Sequence, residues 1–174
     1  MRNQLLNKDI MNDFLTEMEY VGLTSRLKRL SDSLLYSTKE LYKSEGLDIE
    51  PNWNLIFILL QENEAMTITE ISETLQFSHP AVVKIINKMK KNGHVETRTD
   101  TEDKRKQILT LTEKAHKQLP LFEKYWTAGR QTVMDLLEDS PNFLEEFLKI
   151  EEKVNQSDYK ERTLKNLNND ELSN

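Results

Sequence analysis

Apolar residues recur along most of this chain in steps of three and four, the period of a helix with one buried face. Ile10, Phe14, Leu15, Met18 and Val21 open the pattern and predict a helix over about Lys8 to Val21, interrupted by Gly22. Leu23, Leu27, Leu30, Leu34 and Leu41 continue it with the spacing of an a/d seam, Ser37 filling one slot. They predict a second helix from about Leu23 to Ser44, which Gly46 stops. Such a stripe serves equally as core or as a seam to a second copy. Pro51 then opens a third helix at its first turn. WNLIFILLQEN is apolar nearly all round, so this helix is expected to be central and buried.

Beyond Glu64-Ala65 the elements shorten. Met66 to Ile68 reads as a short strand, and Thr69 as the N-cap of a short helix to about Gln76 with Ile71 and Leu75 inward. Ser78 caps the next helix, Pro80 sits in its first turn, and Gly93 follows its end. Val82, Ile85, Ile86 and Met89 form its inner stripe. HVETRT and QILTL read as two strands joined by a polar turn, a hairpin. Thr112 caps a long helix from Glu113 through Leu119, Phe122, Trp126 and Val133 to about Glu138, which Pro120 should kink or divide. Pro141 starts a further helix with Phe143, Leu144, Phe147, Leu148 and Ile150 on its apolar face. The residues after about Gln156 are polar and read as a weak helix or a disordered tail.

Composition agrees with helices and excludes much chemistry. The 174 residues include only four glycines and four prolines. There is no cysteine, hence no disulfide, thiolate nucleophile or Cys-ligated zinc. His79, His94 and His116 are too far apart for a local metal motif. No Gly-rich phosphate loop, GxSxG elbow or Cys/His pair is present, and the pairs Glu145-Glu146 and Glu151-Glu152 read as solvated faces. Enzymatic activity, catalytic residues, a metal and a cofactor are therefore not expected. The longest apolar run, Leu55 to Leu60, is far short of a membrane span. The N-terminus has no continuous apolar stretch of the signal-peptide kind, which reads as a cytoplasmic protein.

Charge sharpens the picture. The chain carries a net −6, yet His79 to Lys117 holds ten Lys or Arg against five Asp or Glu, so the remaining residues sum to −11. A basic block in an acidic chain points to a polyanionic partner. The same stretch contains the pattern of short helix, tight turn, capped helix and hairpin, a winged helix-turn-helix. Outward on the second helix lie Ser78, His79, Pro80, Ala81, Val83, Lys84 and Asn87. Ser78, His79, Lys84 and Asn87 can hydrogen-bond to bases or phosphates, Asn87 suiting adenine and Lys84 guanine, while Ala81 or Val83 can touch a thymine methyl. Lys88 and Lys91 are placed for phosphates. The hairpin tip carries Lys104, Arg105 and Lys106 in a row, and Arg98 on the first strand joins this basic set. Arg105 is long and planar enough to enter a narrow minor groove, and Asp103 can hold its guanidinium by a charge-assisted pair.

The run ITEISETLQFSHPAVVKIINKMKKNGHVETRTDTEDKRKQILTLTEKA resembles the core of the multiple-antibiotic-resistance regulator (MarR) family. The resemblance is most specific at Asp103-Lys104-Arg105, the strand that follows and Leu111-Thr112. It includes Ser78 and Gly93, is clear over about 66 to 117, and extends to the flanking helices in number and order. It implies a mostly α fold with a small β-hairpin wing, set in an all-helical dimerisation scaffold. The expected division is N-terminal helices over 1–50, a winged module over 51–112 with its recognition helix at 78–92 and wing at 94–111, C-terminal helices over 113–156 and a polar tail over 157–174. The resemblance also implies a homodimer, the helix from Ser78 in the major groove, Arg105 in the minor groove and Asp103 orienting it. It further implies a cleft, lined by the first helices and the helix from Pro51, where a small-molecule effector alters lobe spacing. The chain departs from the family pattern at His94, where an apolar residue usually packs under the wing, at Ala115, a frequent glycine, and at Val83, commonly small and polar. His94 is expected to plug the wing base. The function implied is a sequence-specific transcriptional regulator, a repressor on a pseudo-palindromic double-stranded operator with half-sites ~10 bp apart. The alternative is a protein-interaction module or architectural DNA binder that keeps the fold without specific readout.

Overall fold

The computed structural model describes residues 13–101, 103–104 and 106–171. Its elements are α1 (Phe14–Glu17), α2 (Glu19–Ser44), α3 (Trp53–Asn63), α4 (Ile68–Leu75), α5 (His79–Lys91), β1 (Val95–Thr99), β2 (Gln107–Leu111), α6 (Glu113–Leu136), α7 (Phe143–Gln156) and α8 (Tyr159–Glu171). The fold is mostly helical with one two-stranded antiparallel sheet, as the residue pattern predicts. Two compact units divide it, one ending at Phe122 and the other beginning at Glu123.

The first unit is built around α3. Trp53, Ile56, Phe57 and Leu60 are buried there, together with Ile71 of α4, Val82, Ile86 and Met89 of α5, Leu109 and Leu111 of β2, and Ala115, Leu119 and Phe122 of α6. α3 is not enclosed all round: Leu55 and Ile58 are exposed. Ile85, expected in the inner stripe, is only half-buried because it lines a cleft at the edge of α5. The hairpin pairs Val95 with Leu111 and Thr97 with Leu109, which turns Val95, Leu109 and Leu111 into the core. The strand expected at Met66 is a single bridge to Leu109, with N–H···O contacts of 3.2 and 2.7 Å. It stops there because Thr67 already caps α4.

His94 is wholly buried where the end of α5, the start of the wing and α6 converge. Its ring meets Trp53, Phe57 and Phe122 edge-on at centroid distances of 5.6, 5.6 and 5.8 Å. Nε2 lies 3.2 Å from Gln118 Oε1, so the neutral tautomer protonated at Nε2 donates to that oxygen. Nδ1 has no hydrogen-bond partner among the described residues. Burial, and then the Lys114 cation, hold the imidazole below its ordinary 6.5. His94 thus plugs the wing base as an uncharged aromatic ring.

Several boundaries differ from the sequence reading. The break between the first two helices falls at Met18 and Glu19, with Glu19 at φ 43°, and not at Gly22, which lies inside α2. A Cβ on Gly22 would stand 2.2 Å from the Leu15 carbonyl oxygen, so the missing side chain lets the preceding turn pack against the helix rather than ending it. Pro51 and Pro141 lie in turns just before α3 and α7, not in their first turns, since Asn52 and Asn142 are the N-caps. α6 runs through Pro120 undivided, with Leu119 and Phe122 buried on either side of the lost N–H. The polar C-terminal stretch contains α8, begun by the Asp158 side chain accepting the Glu161 N–H at 2.9 Å.

In the second unit none of the described residues is buried. Phe143, Leu144, Phe147, Leu148, Ile150 and Val154 of α7 all face solvent in the single chain. The seam on α2 behaves alike, with Leu23, Leu27, Leu30, Leu34 and Leu41 between 41% and 56% exposed.

The state of His94 makes stability depend on pH. The unfolded chain protonates at its ordinary value while the folded chain resists, so the contribution is complete above 6.5 and is lost as pH falls through the folded value. Melting temperatures measured from about pH 7.5 down to about pH 5.5 should fall more steeply for the wild type than for His94→Phe; parallel curves would remove His94 as the cause.

Candidate nucleic-acid interface

Local rules fix the helix-turn-helix. Thr67 Oγ1 accepts the Glu70 N–H at 3.2 Å, and Glu70 Oε2 accepts the Thr67 N–H at 2.7 Å, a closed capping box at the start of α4. This corrects Thr69 as the cap: Thr67 has a glutamate three residues on, whereas Thr69 has Ser72. The Thr67 N–H, then its hydroxyl, hold the Glu70 carboxyl below its usual range, and the Lys106 cation of the hairpin turn adds to this. Gln76 at φ 53° ends α4, and Phe77 remains exposed in the turn beside Ser78, a feature not singled out in the sequence.

Ser78 N-caps α5 without a side-chain capping bond, while its carbonyl accepts from Ala81 and Val82 at 2.9 and 3.1 Å. Asn92 is the C-cap, and Gly93 follows at φ 72° in the left-handed region. Lys88, Lys90 and Lys91 lie in the last turn, where cations suit the helix dipole.

At helical spacing Pro80, Val83, Lys84, Asn87 and Lys91 share a stripe about 100° wide, opposite the buried Val82, Ile86 and Met89. All but Val83, which is half-buried, are exposed, and Ser78 and His79 are exposed at the same end of the helix. Lys88 lies at the flank, 3.9 Å from Glu50, which also stands 3.7 Å from Lys39 of α2. Tyr36, Trp53, Lys84, Ile85 and Lys88 are among the residues lining a cleft of about 420 Å³ along that flank.

The hairpin turn is closed by its own backbone: Asp103 N–H donates to Asp100 Oδ1 at 2.8 Å and Lys106 N–H to the Asp103 carbonyl at 2.8 Å. Lys104 and Lys106 are exposed and Asp103 is half-buried. Arg105 lies outside the described residues, and with it the pairing expected between Asp103 and Arg105. Arg98 pairs with Glu96, its Nε donating at 3.0 Å, and lines a depression with Glu64, Glu113 and His116 rather than joining the α5 stripe. The sequence reading missed Asp48, which binds Asn92 and Lys114. Those partners lie 44 and 66 residues away, beyond the reach of any local periodicity. Among the described residues no group of three or more His, Asp or Glu is arranged to hold a metal ion, and no helix is long and apolar enough to cross a membrane.

Residues 47–106, spanning α3 to the hairpin turn, match the sequence model of the MarR family. Over that stretch the chain is similar to the MarR family. It is 28% identical over 124 residues to the transcriptional repressor MprA of Escherichia coli K12, covering 67% of this chain and 70% of that one. It is 25% identical over 84 residues to the regulator PapX of Escherichia coli, 48% of this chain and 51% of PapX. The MarR fold recurs in solved structures. The S. aureus MepR–DNA complex has a TM-score of 0.65 at 17% identity, covering 76% of this chain and 97% of MepR. A MarR protein of Peptoclostridium difficile has a TM-score of 0.62 at 20% identity, covering 79% and 90%.

The capping box carries a simple expectation. Thr67→Ala should lower unfolding stability by about 1 kcal/mol, and Thr67→Ser should restore most of it. Thermal melts of the three proteins check this, and an unchanged Ala variant would show that the box contributes nothing.

Proposed function

We propose that this chain is a sequence-specific DNA-binding transcriptional regulator, a repressor, acting as a homodimer in the cytoplasm where its target DNA lies. The observation that carries this reading is the stripe of Pro80, Lys84, Asn87 and Lys91, exposed around a half-buried Val83 and opposite the buried face of a capped helix, with the lysines of a hairpin turn following in the same fold. A helix of these dimensions fits the major groove, where Asn87 and Lys84 can read base edges and Val83 a thymine methyl. Ser78, His79, Pro80, Lys88 and Lys91 then serve contact and register. Lys104, Arg105 and Lys106 serve the minor groove, with Asp103 as the orienter of Arg105 and Arg98 as a backbone contact. The repressor reading follows MprA, which carries that name. The exposed leucine seam of α2 and the apolar face of α7 support association with a second copy. The cleft beside Lys84 and Lys88 supports a small-molecule effector that shifts the population of DNA-compatible forms. The winged module serves DNA and the N- and C-terminal helices serve dimerisation in this reading; it gives the chain no catalytic role.

Selection from a randomised duplex pool, at low and near-physiological salt, tests this. A two-fold symmetric motif should be enriched at the higher salt. Retention without enrichment would favour an architectural binder, and no retention an interaction module. On the selected duplex Arg105→Ala should weaken binding strongly, and Asn87→Ala should relax preference at one base pair by about 1–3 kcal/mol.

A further inference from the structure

Asp48 lies in the loop between α2 and α3, and its two carboxylate oxygens have different partners. Oδ1 accepts the Asn92 side-chain amide at 2.9 Å, and Oδ2 accepts Lys114 Nζ at 3.0 Å. Lys114 Nζ also donates to the Asn92 backbone carbonyl at 2.6 Å. The three residues close a triangle that joins the loop after α2, the C-cap of α5 and the first turn of α6. Beside it, Thr112 Oγ1 donates to the Gly93 carbonyl at 2.6 Å and the Thr112 N–H to the His94 carbonyl at 3.0 Å. Ile49 is buried and anchors the loop, so Asp48 acts from a fixed point.

The far end of α5 carries the residues that would meet the bases. With 13 residues at 1.5 Å each, α5 is a lever of roughly 20 Å pivoting at its C-terminus. A tilt of about 5° there displaces the first turn by almost 2 Å, enough to break a bidentate hydrogen bond to a base edge. Asp48 and Lys114 are themselves 53% and 42% exposed, and exposed pairs of this kind add little to folding stability. A small contribution to stability combined with control of a long lever is the signature of orientation.

We propose that Asp48 is a positioning residue for base readout: through Asn92 and Lys114 it sets the tilt of α5. The proposal rests on the reading of the chain as a DNA-binding regulator. Its test uses the duplex selected by the wild type, and reads the ratio of affinity for that duplex to affinity for random duplex, so that a changed net charge cancels. Asp48→Ala and Lys114→Ala should keep their helix content and melt within about a few degrees of wild type, yet lose on the order of tenfold in the ratio. Lys114→Arg, which can still donate to both the Asp48 carboxylate and the Asn92 carbonyl, should keep most of the ratio that Lys114→Ala loses. Single alanine variants with the wild-type ratio, or an arginine variant no better than the alanine, would overturn the proposal. A wild type that enriches no duplex would instead overturn the DNA-binding reading, and this one with it.

Discussion

The aromatic joint of Trp53, Phe57, His94 and Phe122 fixes where α5 ends and the wing begins, and it ties that point to α3 and α6. Edge-to-face pairs of this kind contribute about 0.5–1.5 kcal/mol each beyond the area they bury. Geometry matters as much as energy here. The His94 N–H donates to the Met89 carbonyl at 2.9 Å, and its own carbonyl accepts from Thr112. One residue thereby ties the last turn of α5 to the first turn of α6 while its ring is held by α3. Gly93, at φ 72°, supplies the sharp exit from the helix that lets His94 turn inward. An apolar residue would fill the same space, but a neutral imidazole also reaches the Gln118 amide.

The basic block looks different once its partners are known. Of its ten cations, Lys88, Arg98, Lys114 and Lys117 lie within ion-pair distance of Glu50, Glu96, Asp48 and Glu113. Glu50 and Asp48 reach in from the acidic remainder of the chain, while Glu96 and Glu113 belong to the basic stretch itself. Lys84, Lys91, Lys104 and Lys106 stand on exposed positions of α5 and the hairpin turn. Net charge over a window of sequence counts both groups alike, which is why it locates a basic surface without saying which cations a polyanion would meet.

Much of this was legible in the residues. The α5 stripe, its Gly93 exit and the hairpin follow from period, capping chemistry and turn composition, all of which act within a few residues, whereas the burial of His94 was implied by the family resemblance. Of the rest, the Thr67 cap is itself a local signature, and the other departures are set by packing. Thr67 outcompetes Thr69 as a cap through a side chain three residues on, and Gly22 stays helical because a distant-looking carbonyl, that of Leu15, folds back to within 2.2 Å of where a Cβ would be. Pro120 fails to divide α6 because burial on both sides outweighs one lost hydrogen bond. Asp48 meets Asn92 and Lys114 only after three elements have packed. Local rules are overridden wherever tertiary contacts carry more free energy than the local preference, and the leucines of α2, identical in pattern to a core stripe, are told apart only by their exposure.

The absence of any buried residue among those described in the second unit has a thermodynamic consequence. Helices of the length of α7 and α8 are marginal in water by themselves, and ordering each residue costs on the order of 1–2 kcal/mol that only burial can offset. Among the described residues of this unit nothing supplies that burial. Packing against a second copy, as proposed above, would make the apparent melting point of residues 123–171 a function of how much protein is in the tube.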